Sequence, residues 1–254
     1  MTRSQISFLT ISLPLLVVIL LPIFSLFLVP SFDNVWNGIQ SSIFWQSLWV
    51  SCWTSICSLI MIILFATPLA WWISQQENRI WEDLCIIPLL IPPTVVGLGL
   101  LYAFGQKGIL GPVLTQFNIQ IAFQPLAVIL AQIVVASPLY IRTMIHTFRE
   151  IPQQTMVVGA TLGLSQVEVF RLLILPSCRE SILSAGILTW ARAIGEFGAT
   201  LLFAGSLMGK TQTVPLAIYN AFMQDVSIAV SLSISLIVLS VVIFMFFRWS
   251  GTKI

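Results

Sequence analysis

Six times between Phe8 and Phe247 the chain passes through a long apolar run with few charges or none. That pattern restricts it to a membrane. The hydrocarbon core of a bilayer is about 30 Å thick, so a spanning helix needs about 20 mostly apolar residues. Inside hydrocarbon every backbone N–H and C=O must find a partner within the protein, which makes such runs helices. The runs cover residues 8–29, 47–73, 84–104, 126–143, 182–204 and 228–247. The expected fold is therefore an all-α integral membrane protein, six transmembrane helices in one domain over residues 1–254. Charged residues make up 8% of the chain, against about 25% in water-soluble domains. The net charge of +2 is too small to imply a nucleic-acid partner.

The details of the runs add expectations. A cleaved leader is disfavoured at the first run, which is longer than a usual signal core and lacks an A-x-A site. Trp71 and Trp72 close the second run and suit a membrane–water interface. The third contains Pro92-Pro93, Gly97 and Gly99, so a kinked, closely packed helix is expected there. The fourth carries Pro138. After the sixth the chain soon stops, and no soluble C-terminal domain is expected. Six crossings put both termini on one side. Arg3, Arg79, Arg142, Arg149, Arg171, Arg179, Arg248 and Lys253 fall on that side; Lys107 and Lys210 fall opposite. The positive-inside rule makes the side of the termini cytoplasmic. The four cysteines form no C-x-x-C pair and read as small hydrophobes. His146, between Arg142 and Arg149, reads as a surface residue.

Residues 149–176, between the fourth and fifth runs, are different. Four charges fall there: Arg149, Glu150, Glu168 and Arg171. Pro152 suits the first turn of a helix. Gly163 suits its left-handed end. Ser165 stands three residues before Glu168, a capping box that starts a second helix. That second helix is expected to place Val167, Phe170 and Ile174 on one side. Two short helices around a glycine break are too charged to cross a bilayer. They should lie at the cytoplasmic surface, within reach of another protein.

The fifth run holds W-A-R-A-I-G-E-F-G-A-T. Arg192 and Glu196 are four apart, which on a helix is one face. Charges within a span usually face a protein interior or a water-filled path, so the pair is a candidate pathway or gate, or a mutually neutralised packing pair. Gly195 and Gly198 would let another helix approach closely. Phe203 to Thr211, F-A-G-S-L-M-G-K-T, mimics a phosphate loop, but three residues separate Gly205 from Gly209 where four are required. Asp33 and Asp225 read as solvated outer-side acids. No catalytic, cofactor or metal constellation is present in the sequence, so no catalytic residues, cofactor or metal are assigned.

Gly159 to Pro176, G-A-T-L-G-L-S-Q-V-E-V-F-R-L-L-I-L-P, resembles the permease signature of bacterial ABC importers. Gly163 matches its glycine, Phe170 its aromatic and Pro176 its proline. The signature's glutamate would fall near Met156 or Val157, and neither is acidic. Ala191 to Gly205, Gly209 to Tyr219 and Leu89 to Gly97 resemble the molybdate permeases within that superfamily. Sulfate permeases tend to have G-E-Y-G-S where this chain has Gly195-Glu196-Phe197-Gly198-Ala199.

The resemblance implies a type I ABC importer permease, part of the binding-protein-dependent inner membrane components. It implies a permease homodimer in the inner membrane, with a cytoplasmic coupling helix between helices 4 and 5 seated in each of two ATPase subunits. A periplasmic binding protein would deliver molybdate or tungstate. On this reading Val157, Ala160, Leu162, Gly163, Leu164, Ser165 and Glu168 serve ATPase coupling. Val157, Ala160, Leu162 and Leu164 would form the docking face, each large side chain contributing about 1.5–3 kcal/mol when buried. Arg192, Gly195, Glu196 and Gly198 are the pathway or gate candidates. A sulfate-type permease is the alternative. An ion-coupled secondary transporter would need more intramembrane titratable groups than Glu196.

Overall fold

The computed structural model describes residues 3–28, 32–152 and 154–249, and these are helical almost throughout. Helix α1 (Arg3–Leu28) is followed by the short α2 (Phe32–Gln40) and the long α3 (Ser42–Ser74). Next come α4 (Ile80–Leu90), α5 (Pro93–Phe104), the short α6 (Gly111–Gln116) and the long α7 (Pro125–Arg149). The polar stretch forms α8 (Gln154–Thr161) and α9 (Gln166–Val169), which widens into a π-turn (Phe170–Ile174) and runs on as α10 (Leu175–Ser177). The chain closes with α11 (Arg179–Ile194), α12 (Gly198–Ala204), α13 (Val214–Phe222) and α14 (Val226–Trp249).

Ile11–Leu28, α3 and α7 are each long and apolar enough to cross a bilayer alone. Helix α7 continues to Arg149, past the expected end at 143. Single prolines at Pro68 and Pro138 lie inside α3 and α7 without ending them.

Two expected spans are broken instead of continuous. The third run is not one kinked helix: α4 and α5 meet at 107°. The cause is the proline pair. Each proline pushes its predecessor out of the α region, and Ile91 (ψ 136°) and Pro92 (ψ 134°) are both extended. Pro93 then opens α5, where its missing N–H costs nothing. The fifth run also divides, between α11 and α12 at Gly195-Glu196-Phe197. Upstream, α11 joins the α9–α10 segment at a 73° bend.

Helix α3 is the hub of the packing. Ser47, Ser51, Thr54, Ser55, Ser58, Ala66, Thr67 and Ala70 recur at three- and four-residue steps along it and are all buried. Small side chains let neighbouring helices approach closely. Their hydroxyls also tie α3 to three partners. Ser58 Oγ donates to Gln132 Oε1 on α7 at 2.8 Å, and Thr67 pairs with the Tyr140 hydroxyl at 2.8 Å. Trp190 Nε1 on α11 donates to Ser55 Oγ at 3.0 Å. The Val214 N–H that begins α13 donates to Ser51 Oγ at 2.7 Å. Cys178 is buried within the same core, beside residues of α3, α7 and α11.

A second core joins α5, α7 and α12. Here the contact is backbone on backbone. A Cβ at Gly97 would stand 2.6 Å from the Ala199 carbonyl oxygen and 2.7 Å from its Cα. A Cβ at Gly198 would stand 3.0 Å from Thr94 Cγ2. Gly99, on the open side of α5, would meet nothing within 4 Å.

Gly97→Ala should therefore push α5 and α12 apart, at a cost of about 1–3 kcal/mol. Gly99→Ala should hold or slightly raise stability, since alanine favours a helix by about 1 kcal/mol over glycine. Thermal unfolding of the two variants in detergent checks the difference.

Candidate functional site

The stretch between α7 and α11 is built from local signals. Thr155 N–H donates to the Pro152 carbonyl at 3.0 Å, which places Pro152 at the N-terminal end of α8. Helix α8 ends in a Schellman turn: Leu164 N–H reaches the Gly159 carbonyl and Gly163 N–H the Ala160 carbonyl, both at 3.0 Å. Gly163 has φ +74°, a conformation that costs other residues about 1–2 kcal/mol. Ser165 then caps α9. Its hydroxyl accepts the Glu168 N–H at 3.3 Å, and Glu168 Oε2 accepts the Ser165 N–H at 2.8 Å and its hydroxyl at 2.7 Å. The Ser165 hydroxyl, and then its N–H, hold the Glu168 carboxyl below its ordinary pKa. The following π-turn closes with the Leu175 N–H on the Phe170 carbonyl. It lies just ahead of Pro176, which has no donor to continue an α ladder.

The element has two faces. Inward, Phe170 stacks on Trp71 of α3 at 5.5 Å and meets Phe148 of α7 edge-on at 6.1 Å. Trp71 and Phe148 are themselves 5.5 Å apart, edge to face. Val169 and Ile174 are buried beside them, and Gly159 is in close contact with the Val169 side chain. Trp71 is thus turned into the protein to clamp this element, while Trp72 stays exposed against Trp81. At the same end Glu82 Oε2 of α4 pairs with Arg149 Nη1 at 2.7 Å, a contact sequence reading missed because the partners are far apart in the chain.

Outward, Val157, Val158, Leu162 and Val167 are 52–67% exposed. Ala160, Gly163, Ser165 and Glu168 are exposed with them. Two assignments need correction. Leu164 does not join the outer face; it is half-buried against the core, as the residue after a Schellman glycine commonly is. Val167 does not share a side with Phe170 and Ile174: it is exposed, whereas Phe170 and Ile174 pack inward on the core. Val158, not singled out from sequence, completes the outer patch.

The second group lies at the break between α11 and α12. Arg192 is in the last turn of α11, and Glu196 is outside both helices. The two are not neighbours on one continuous helix face. They meet because the chain turns at Gly195. Arg192 Nη1 donates to Glu196 Oε2 at 2.8 Å, and Glu196 Oε1 accepts the Ala199 N–H at 2.9 Å, capping α12. Glu196 is 1% exposed, whereas the Arg192 side chain is 33% exposed. Gly198 packs on α5 as expected. Gly195 does not: it is exposed and has no close neighbour. Gly195 and Phe197 line an open groove of about 570 Å³ together with Tyr219, Phe222 and Val226. Phe197 and Tyr219 are 5.3 Å apart there.

The remaining sequence features resolve simply. Gly205 (φ +68°) and Gly209 (φ +71°) shape the turn after α12. The Thr211 hydroxyl closes that turn by accepting the Leu207 N–H at 3.0 Å, so it is spent on the chain itself. Asp225 is exposed and accepts the Ser227 N–H at 2.8 Å at the start of α14. His146 is exposed.

The chain matches the family model described as the binding-protein-dependent transport system inner membrane component, over residues 78–254. It is similar to the probable transport system permease protein NifC of Clostridium pasteurianum, 36% identical over 201 residues, or 78% of this chain and 70% of that protein. It is also similar to the molybdenum transport system permease protein ModB of Mycobacterium tuberculosis, 34% identical over 231 residues, or 90% of this chain and 88% of that protein. In fold it resembles a chain of a bacterial ABC transporter involved in alginate import, with a TM-score of 0.77 at 15% identity over 99% of this chain and 97% of that one.

The capping box carries a pH prediction. Because the Glu168 pKa is depressed in the folded loop, its contribution is fully present above the ordinary carboxylate value and is lost as pH falls through the depressed one. Hydrogen-exchange protection of the Ser165 and Glu168 N–H groups should persist through pH 4.5, the ordinary value, and collapse only below it. In Ser165→Ala protection should already be low at neutral pH.

Proposed function

The chain belongs to the family of binding-protein-dependent transport system inner membrane components, and on that premise we propose that it is the membrane-spanning subunit of an ABC importer for molybdate or tungstate. It is a multi-pass inner-membrane protein. Two copies enclose a pathway, two ATPase subunits sit beneath them, and a periplasmic oxyanion-binding protein docks on the outer face. Both termini lie in the cytoplasm. ATP hydrolysis belongs to the ATPase subunits, and this chain transmits its effect.

The observation that carries this reading is the two-faced element of residues 149–176. Its aromatic inner face is anchored on α3 and α7 through Trp71, Phe148 and Phe170. Its outer face offers Val157, Val158, Ala160 and Leu162 to a partner. A rigid mount with an unfilled apolar face suits force transfer from another protein. Gly163 sets the turn, and Ser165 with Glu168 holds the second helix behind it. Arg192, Gly195, Glu196 and Gly198 form the pathway region. Its ion pair is balanced there, so it offers no uncompensated positive trap to a dianion. The choice of molybdate over sulfate rests on the names of the relatives.

The test is uptake of labelled molybdate and sulfate into vesicles holding the permease, its ATPase and its binding protein. Uptake should require ATP, and molybdate should be preferred. Leu162→Asp and Gly163→Pro should insert normally yet lose at least about tenfold in uptake. Normal uptake in both variants would remove the coupling role. Sulfate as the preferred anion would shift the reading to a sulfate permease.

A further inference from the structure

The ion pair at the root of the polar loop joins two parts of the chain that lie far apart in sequence. Arg149 is the last residue of α7, and Glu82 stands in the first turn of α4. Their side chains meet at 2.7 Å, with 11% of the Glu82 side chain and 29% of the Arg149 side chain exposed. The Glu82 oxygen in this contact is buried, and among the described residues no hydrogen-bond donor reaches it in good geometry. Arg149 therefore supplies the charge that keeps this carboxylate stable away from water. Separating such a pair strands a buried charge, a larger loss than the pair itself gains.

Helix α4 is also attached to the next helix in an unusual way. Its far end meets α5 at 107° across Ile91-Pro92-Pro93. Neither proline has an N–H, so no helical hydrogen-bond ladder runs through the bend. Beyond it, α5 is fixed on α12 by the close approach of Gly97 to Ala199. Trp81 against Trp72, and Cys85 against the core, hold α4 on the bundle without help from the ion pair.

We propose that Glu82 is a positioning residue for transport: it makes α4 follow Arg149 when the polar loop is displaced, so that α4 tilts about the proline bend while α5 stays on α12. The inference rests on the coupling reading of residues 149–176 and deepens it by naming the link from the loop to the broken span. An arginine that moved alone would leave the Glu82 carboxylate buried and unpaired, so both move or neither does. The bend lets α4 turn with few backbone hydrogen bonds to lose. The aromatic contacts of Phe170 carry the loop to α3 and α7; the ion pair carries it to α4.

The experiment measures uptake of labelled molybdate and ATP hydrolysis together, in vesicles holding the permease, its ATPase and its binding protein. Glu82→Gln keeps the shape of the side chain and removes its charge; Arg149→Gln removes the opposite charge. In either variant, molybdate taken up per ATP hydrolysed should fall at least about fivefold, with hydrolysis within about twofold of the parent. Combining the two should lower the ratio no further, because partners in one contact are not additive. Arg149→Lys keeps the charge and should retain most of the ratio. The proposal is overturned if the single variants keep the parental ratio, or if Arg149→Lys loses as much as Arg149→Gln. It is equally overturned if uptake, hydrolysis and the amount of folded protein fall in proportion, which would make the pair a packing contact only. If Glu82→Gln does not assemble, Arg149→Gln decides the question, since that side chain is the more exposed of the two. A parent complex that moves no oxyanion with ATP would sink the importer reading, and this inference with it.

Discussion

The structure depends on one face of α3. Its serines, threonines and alanines recur at helical steps, so α7, α11 and the start of α13 all come in close and find hydroxyl partners. In a bilayer no hydrophobic force drives one helix against another. Association rests on close packing, helped by interhelical hydrogen bonds worth only about 0.6 kcal/mol each. A stripe that supplies both to three neighbours is what turns separate helices into one body. The C-terminal end of the same helix carries Trp71, so the mount for the polar loop is continuous with the packed helix core.

Around that hub, the irregular parts meet each other. Breaks in membrane helices free backbone groups that hydrocarbon cannot satisfy. The proline pair at Pro92-Pro93 limits the loss, because neither proline has an N–H to leave unpaired. The break at Gly195-Glu196-Phe197 is repaired by the Glu196 carboxylate, which takes the Ala199 N–H. The half-helices that follow these breaks, α5 and α12, are locked together by backbone contact at Gly97 and Gly198. Of the residues at these two breaks, Gly195 and Phe197 line the groove that also contains Tyr219 and Phe222.

The transport-family resemblance, read from Gly163, Phe170 and Pro176, agrees with the family match over residues 78–254. The all-helical architecture was equally legible, because an apolar run of spanning length has no other stable form. Within the loop, the Gly163 turn and the Ser165–Glu168 box were readable because each is made by residues close together in the chain. Leu164 and Val167 were misassigned for the opposite reason. Which of them faces the core depends on where Trp71 and Phe148 stand, and those residues are distant in the chain. The small-residue stripe of α3 was visible as spacing, but a search for apolar length passes over it.

By itself the sequence determined that this chain is helical, that it belongs in a membrane, and where its polar element begins and turns. Those properties follow from local composition and from contacts a few residues apart. Only the tertiary structure decided that two apolar runs break, that Glu196 leaves the helix to cap the next one, and that Glu82 reaches Arg149. Each of these depends on groups brought together by packing, and no local rule measures the distance between them.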